Sequence, residues 1–138
     1  MNKDAILIWV HTHSDIATVW DAYTNPEHIK NWNAASDEWH CPEATNDLQV
    51  GGEFHSTMAA RDGSGSFDFC WTYTEIIPHK LIAYTMEDGR KVEVEFQSDE
   101  HCTNVIIEFE PETENSKELQ QNGWQSILNH FAEYVTTL

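Results

Sequence analysis

The sequence predicts an α+β fold in which a curved, seven-stranded antiparallel sheet surrounds a long C-terminal helix, with two short helices after the first strand. Three observations lead there. From Gly51 onward the chain is a series of strand-like runs joined by short turns, as in an antiparallel meander. Several of those runs are apolar on one alternation only, so the sheet has one wet face and one that needs a cover. The last stretch carries Leu119, Trp124, Ile127, Leu128, Phe131 and Val135 on one side of a helix and supplies that cover.

Residues 5–11 are β-rich and apolar on both alternations, which predicts a first strand with both faces at least partly covered. Ser14 then caps a short helix, with Asp15 in its first turn and Ile16, Val19, Trp20 and Tyr23 at helical spacing. Asn25-Pro26 is a second start signal, an Asn cap with Pro at the first helical position, leading into Ile29 and Trp32. Residues 33–46 turn polar and irregular around Trp39 and Pro42 and read as a loop or lid, with residues 47–50 as a brief strand. After Gly51-Gly52, strands are expected at 53–61, 66–77, 81–87, 91–97 and 103–110, separated by Asp62-Gly63, Pro78 and Asp88-Gly89. Asp88-Gly89 is the strongest hairpin signal, because a tight primed turn needs positive φ at its central residues. Asn115 with Glu118 marks the start of the final helix.

The chain has 138 residues, a length that one domain spanning 1–138 accommodates. Seven Lys+Arg against 24 Asp+Glu give a net charge of -17, a field that repels phosphate backbones and argues against nucleic-acid binding. The three cysteines, Cys41, Cys70 and Cys102, form no CxxC pair, so reduced thiols and a cytoplasmic protein are expected. The apolar run from Ile6 to Val10 is too short for a signal-peptide core or membrane insertion. His11 and His13 alternate near the end of the first strand, and His40-Cys41 with His55 offers another soft site. Neither has the spacing of a known metal motif, so no metal and no cofactor are predicted.

On 66–77 the residues Phe67, Phe69, Trp71 and Tyr73 share one parity. Val92, Val94 and Phe96, and then Val105, Ile107 and Phe109, repeat the pattern. This inner row, with Phe54, is the candidate wall of an apolar cavity, and Tyr73 and Tyr84 are its candidate polar handles, although Tyr84 is open to facing the other way. Trp124, Leu128 and Phe131 approach from the final helix, and Trp32 and Trp39 are candidate gates. Gly123 interrupts a helix interior; close approach to the sheet is the simplest reason for it, and a ligand passing over the missing side chain is the functional one. An enzyme reading has Glu75 or Tyr73 as acid or base; Glu75 and Asp68 have opposite parities, which disfavours a paired-carboxylate mechanism. Cys70 has no base at hand and reads as inert.

The segment Val19-Trp20-Asp21-Ala22-Tyr23-Thr24-Asn25-Pro26-Glu27-His28-Ile29-Lys30-Asn31-Trp32 resembles the START-like helix-grip (SRPBCC) superfamily. So do Val50-Gly51-Gly52-Glu53-Phe54, Tyr73-Thr74-Glu75-Ile76-Ile77-Pro78 and Gly123-Trp124-Gln125-Ser126-Ile127-Leu128. Within that superfamily the chain is similar to bacterial homologues of the activator of the heat-shock chaperone ATPase. The resemblance runs from the first strand to the last helix and implies a cavity between sheet and helix that accepts a small apolar or aromatic molecule. It also implies two other roles the superfamily serves, a cyclase or hydrolase using the same cavity and a chaperone partner. Trp71 departs from relatives that carry a small residue there, and its indole is expected to shrink the cavity.

Overall fold

A computed structural model describes residues 4–34 and 37–138. The element order is β1 (Ile6–Thr12), α1 (Ile16–Thr24), α2 (Pro26–Trp32), β2 (Trp39–Asn46), β3 (Glu53–Ala60), β4 (Ser66–Ile77), β5 (Leu81–Met86), β6 (Lys91–Asp99), β7 (Cys102–Phe109) and α3 (Lys117–Val135). The seven strands form one antiparallel sheet in the order β1-β7-β6-β5-β4-β3-β2. β2 to β7 are a meander, and β1 closes against the last strand, so α1 and α2 carry the chain from one sheet edge to the other. This is the expected helix-grip arrangement.

Several local expectations are corrected. The strand before Gly51 is Trp39–Asn46, not 47–50, and it lies inside the stretch read as a loop; Ala35 and Ser36 of that stretch fall outside the described residues. β2 is an edge strand whose register shifts between His40 and Glu43, around Pro42. A bulge of this kind accommodates a residue without an N–H and erases the alternation a strand reading needs. On β1 the second alternation is exposed, with Leu7 at 54% and Trp9 at 60%, so only Ile6, Ile8, Val10 and Thr12 are buried. As the other edge strand, β1 is shielded by α3: Gln125 Nε2 donates to Trp9 O at 3.0 Å and Gln121 Nε2 to Leu7 O at 3.5 Å.

Two of the helix starts shift by one residue. Asp15, not Ser14, caps α1, accepting from Thr18 N at 2.9 Å, and that bond holds its carboxyl below the usual range. Asn25 caps α2 as expected. Ser116, not Asn115, caps α3. Leu119 is 60% exposed, and the buried residue in the first turn is Gln120, whose amide bonds Glu112 N, Glu112 O and Asn115 O and ties down the loop before the helix.

The Asp88-Gly89 hairpin forms, but with a three-residue loop. Met86 O accepts from Gly89 N, Met86 N donates to Arg90 O, and of the two turn residues only Gly89 has positive φ. Gly52 is required where it stands, because a Cβ there would lie 2.2 Å from Asp47 O. Close approach does not explain Gly123, since a Cβ there meets nothing within 4 Å. Gly123→Ala is therefore expected to stabilise the protein by about 0.5–1 kcal/mol, read as a raised urea midpoint at unchanged slope.

Candidate functional site

Between the concave face of the sheet and α3 lies a cavity of about 150 Å³. Its floor comes from the inward alternation of three neighbouring strands. Phe54 pairs with Trp71 across β3 and β4, and their rings stack 4.0 Å apart at 11°. On the other side Trp71 stacks on Tyr84 at 4.1 Å and 14°. The Trp71 indole stands as the middle of three stacked rings, its two faces covered by Phe54 and Tyr84 and its edge turned to the cavity. From α3, Trp124, Ile127 and Leu128 cover it, and Trp124 is itself stacked on Phe109 at 3.9 Å and 8°. Offset plates of this kind fix ring orientation beyond what burial alone does.

The side wall is built by the short helices. Tyr23 stacks on Trp32 at 5.3 Å, and Trp32 Nε1 donates to Ala22 O at 2.9 Å, which holds the indole in place. Trp32 stands between the cavity and a polar surface recess lined by Trp39, Arg61, His130 and Tyr134. Met58 and Met86 complete the lining, and their unbranched thioethers adapt to different shapes.

Of the residues singled out from sequence, the structure brings Trp32, Phe54, Phe69, Trp71, Tyr73, Trp124 and Leu128 to the cavity. Phe96 and Phe131 pack behind it, against Tyr23 at 5.6 and 5.3 Å. Phe67 is 46% exposed and packs on Trp39 at 5.2 Å, so both lie outside the lining. Tyr84, left open to face the other way, is 4% exposed and points inward. Sequence reading missed Tyr23, Ser56, Met58 and Met86. Ser56 and Met58 share the parity of Phe54 on β3, a signal that was present.

Polar groups in the lining are few and mostly spoken for. Tyr73 Oη donates to Asn46 Oδ1 at 2.6 Å, Asn46 Nδ2 donates to Thr24 O at 2.7 Å, and Asn33 Nδ2 donates to Ser56 Oγ at 3.2 Å. Arg90, the one cation in the lining, is held by Asp88 Oδ2 at 2.7 Å. Trp71 Nε1 is buried and makes no hydrogen bond of normal geometry, although it lies near enough to the Tyr73 hydroxyl to favour the phenolate. Burial pushes the Tyr73 phenol up to about 12 and raises Tyr84 and Tyr23 further. These tyrosines stay protonated near neutral pH and act as donors, not bases. Among the described residues the lining holds no carboxylate, imidazole or thiol. Glu75 is exposed: a bulge in β4 between Tyr73 and Glu75 resets the parity, so Glu75 and Asp68 are both on the solvent side rather than on opposite faces.

A seven-stranded curled sheet closed on a C-terminal helix over an aromatic cavity defines a protein of the helix-grip superfamily. The chain belongs to the family described as activator of Hsp90 ATPase homolog 1-like protein, whose model matches residues 13–136. It is similar to the AHSA1-like protein of Aeromonas hydrophila, with 42% identity, a TM-score of 0.91, and coverage of 96% of this chain and 92% of that one. A protein from Cytophaga hutchinsonii is 46% identical with a TM-score of 0.83, covering 97% and 93%. A protein from Nitrosomonas europaea shares the fold alone, at 18% identity, a TM-score of 0.83, and coverage of 99% and 97%. None of the curated proteins matches the chain. Among the described residues no helix is long and apolar enough to cross a membrane.

Proposed function

We propose that the protein binds one small, flat, apolar molecule between the sheet and α3, as a carrier or sensor. The observation that carries this is the aromatic floor of Phe54, Trp71 and Tyr84 beneath Trp124, in which the buried Trp71 Nε1–H has no hydrogen-bond partner of normal geometry. A buried donor without a good partner costs about 1–3 kcal/mol, so a ligand with an acceptor in the indole plane, beyond Nε1, regains part of that energy on binding. Size narrows the class further. An apolar cavity near 150 Å³ holds roughly one benzene-sized ring, whereas pockets for larger ligands run to about 300 Å³ or more. The ligand is therefore a single-ring aromatic bearing a carbonyl or similar acceptor; larger molecules need Trp124 or the two methionines to move.

Catalysis by general acid and base has less support, because the lining supplies donors and no base near neutral pH. A docking role for a chaperone or other partner draws on Leu7 and Trp9, two neighbouring exposed side chains on β1, which make a small patch. Native mass spectrometry of protein purified from its own source, followed by organic extraction, tests the binding reading. One equivalent of a ring-bearing apolar molecule is the expected result. Bare protein throughout, with nothing extracted, contradicts a resident ligand.

A further inference from the structure

We propose that His11, His13 and Cys102 form a binding site for one zinc-class divalent cation on the outer face of the sheet, at the end of the β1–β7 pair. The backbone register creates the cluster. His11 pairs with Asn104 and Thr12 with Thr103, so the next step places His13 opposite Cys102. His11 and His13 are two residues apart and point away from the core, opposite to Val10 and Thr12, which are buried. One donor atom from each of His11, His13 and Cys102 lies within 4.8 Å of the others.

The distances suit a small tetrahedral ion. Zinc bonds of about 2.0–2.1 Å to nitrogen and 2.3 Å to sulfur place neighbouring ligand atoms roughly 3.3–3.6 Å apart. His13 Nδ1 and Cys102 Sγ are already 3.7 Å apart, and the two imidazoles meet edge to face at 4.9 Å. The widest spacing needs to close by about 1 Å, which exposed side chains achieve by small rotations. His11 Nδ1 lies 2.6 Å from Asn104 Oδ1. A carboxamide oxygen only accepts, so His11 carries its proton on Nδ1 and keeps the Nε2 lone pair free for a metal, an orienting bond that zinc-bound histidines commonly have.

The scaffold beneath the cluster is fixed. On the buried side, Thr12 Oγ1 donates to Thr103 O and Thr103 Oγ1 donates to Ser14 O, both at 2.9 Å, pinning the end of β1 to β7 under the three ligands. Asp99 pairs with Cys102 from β6 and places a carboxylate beside the cluster, and the net charge of -17 raises the local concentration of cations. Three protein ligands leave a fourth position to water. On binding, the thiol releases its proton to solvent and the thiolate completes the site. The cluster is on the opposite face of the sheet from the aromatic cavity and does not depend on the ligand reading.

Titration of the reduced protein with Co²⁺, followed by displacement with Zn²⁺, tests the site. The expected result is one equivalent bound, with a thiolate-to-cobalt charge-transfer band and tetrahedral ligand-field bands that Zn²⁺ abolishes. Cys102→Ser removes the charge-transfer band, His11→Ala and His13→Ala each weaken Zn²⁺ binding about 100-fold or more, and Cys70→Ser changes neither. Circular dichroism confirms that each variant is folded. No saturable band, a band that survives Cys102→Ser, or binding indifferent to both histidines overturns the proposal.

Discussion

Phe131→Ala is expected to cost about 3–5 kcal/mol of stability, the range for emptying a fully buried aromatic site. Phe131 is 0% exposed on the inner side of α3, edge-on to Trp32 at 5.0 Å and to Tyr23 at 5.3 Å. Its removal opens a void behind the cavity wall that these two rings, one fixed by its bond to Ala22 O, cannot fill. Phe67→Ala is the contrast. That ring is half-exposed at the far end of β4, and its loss is expected to cost about 1 kcal/mol or less. Chemical denaturation of both variants measures the difference, and equal losses contradict the assigned core.

The second large effect is alkaline unfolding. Folded Tyr73 holds its proton up to about 12 and Tyr84 higher still, against an ordinary value of 10.0, and in both cases the cause is burial. Below pH 10 both states keep the phenol protons and these groups give no pH dependence. Above it the unfolded chain releases protons that the fold retains, so stability falls as pH rises. Each tyrosine contributes about 1.4 kcal/mol per pH unit, roughly 3 for the pair, until pH passes the folded value. Tyr23, also raised, steepens the fall. Denaturation across this range, followed by tyrosinate absorbance, checks it. Tyr84→Phe is expected to reduce the slope by about 1.4 kcal/mol per unit, which separates the phenol from general charge repulsion. Tyrosines that titrate at their ordinary value in a still-folded protein contradict the burial described.

The fold was legible because its signals were redundant. One-sided alternation on β6 and β7, the Asn25-Pro26 start and the apolar stripe of α3 each point to the same architecture, and the family resemblance agrees with them. The misses share one cause, backbone irregularity. Pro42 and the register shift in β2 hide an edge strand inside a polar stretch, and the bulge after Tyr73 inverts the parity from which Glu75 was placed. The cavity was legible where alternation is regular, at Phe54, Phe69, Trp71 and Tyr73. What no pattern revealed was orientation. That the Trp71 indole stands between Phe54 and Tyr84, with both faces covered and its edge to the cavity, is decided by rings on two other strands. Likewise, Cys102 is far in sequence from His11 and His13 and meets them only through the pairing of the first strand with the last.

The most direct test of the central claim is a heteronuclear NMR titration with acetophenone, one ring with one carbonyl acceptor, set beside ethylbenzene, which lacks the acceptor. The account predicts saturable shifts at the Trp71 indole N–H and at Ile127 and Leu128, and acetophenone binding about fivefold tighter than ethylbenzene for one net hydrogen bond of about 1 kcal/mol. Absence of any saturable shift at Trp71, or shifts confined to surface residues such as Trp9 and Trp39, would contradict it.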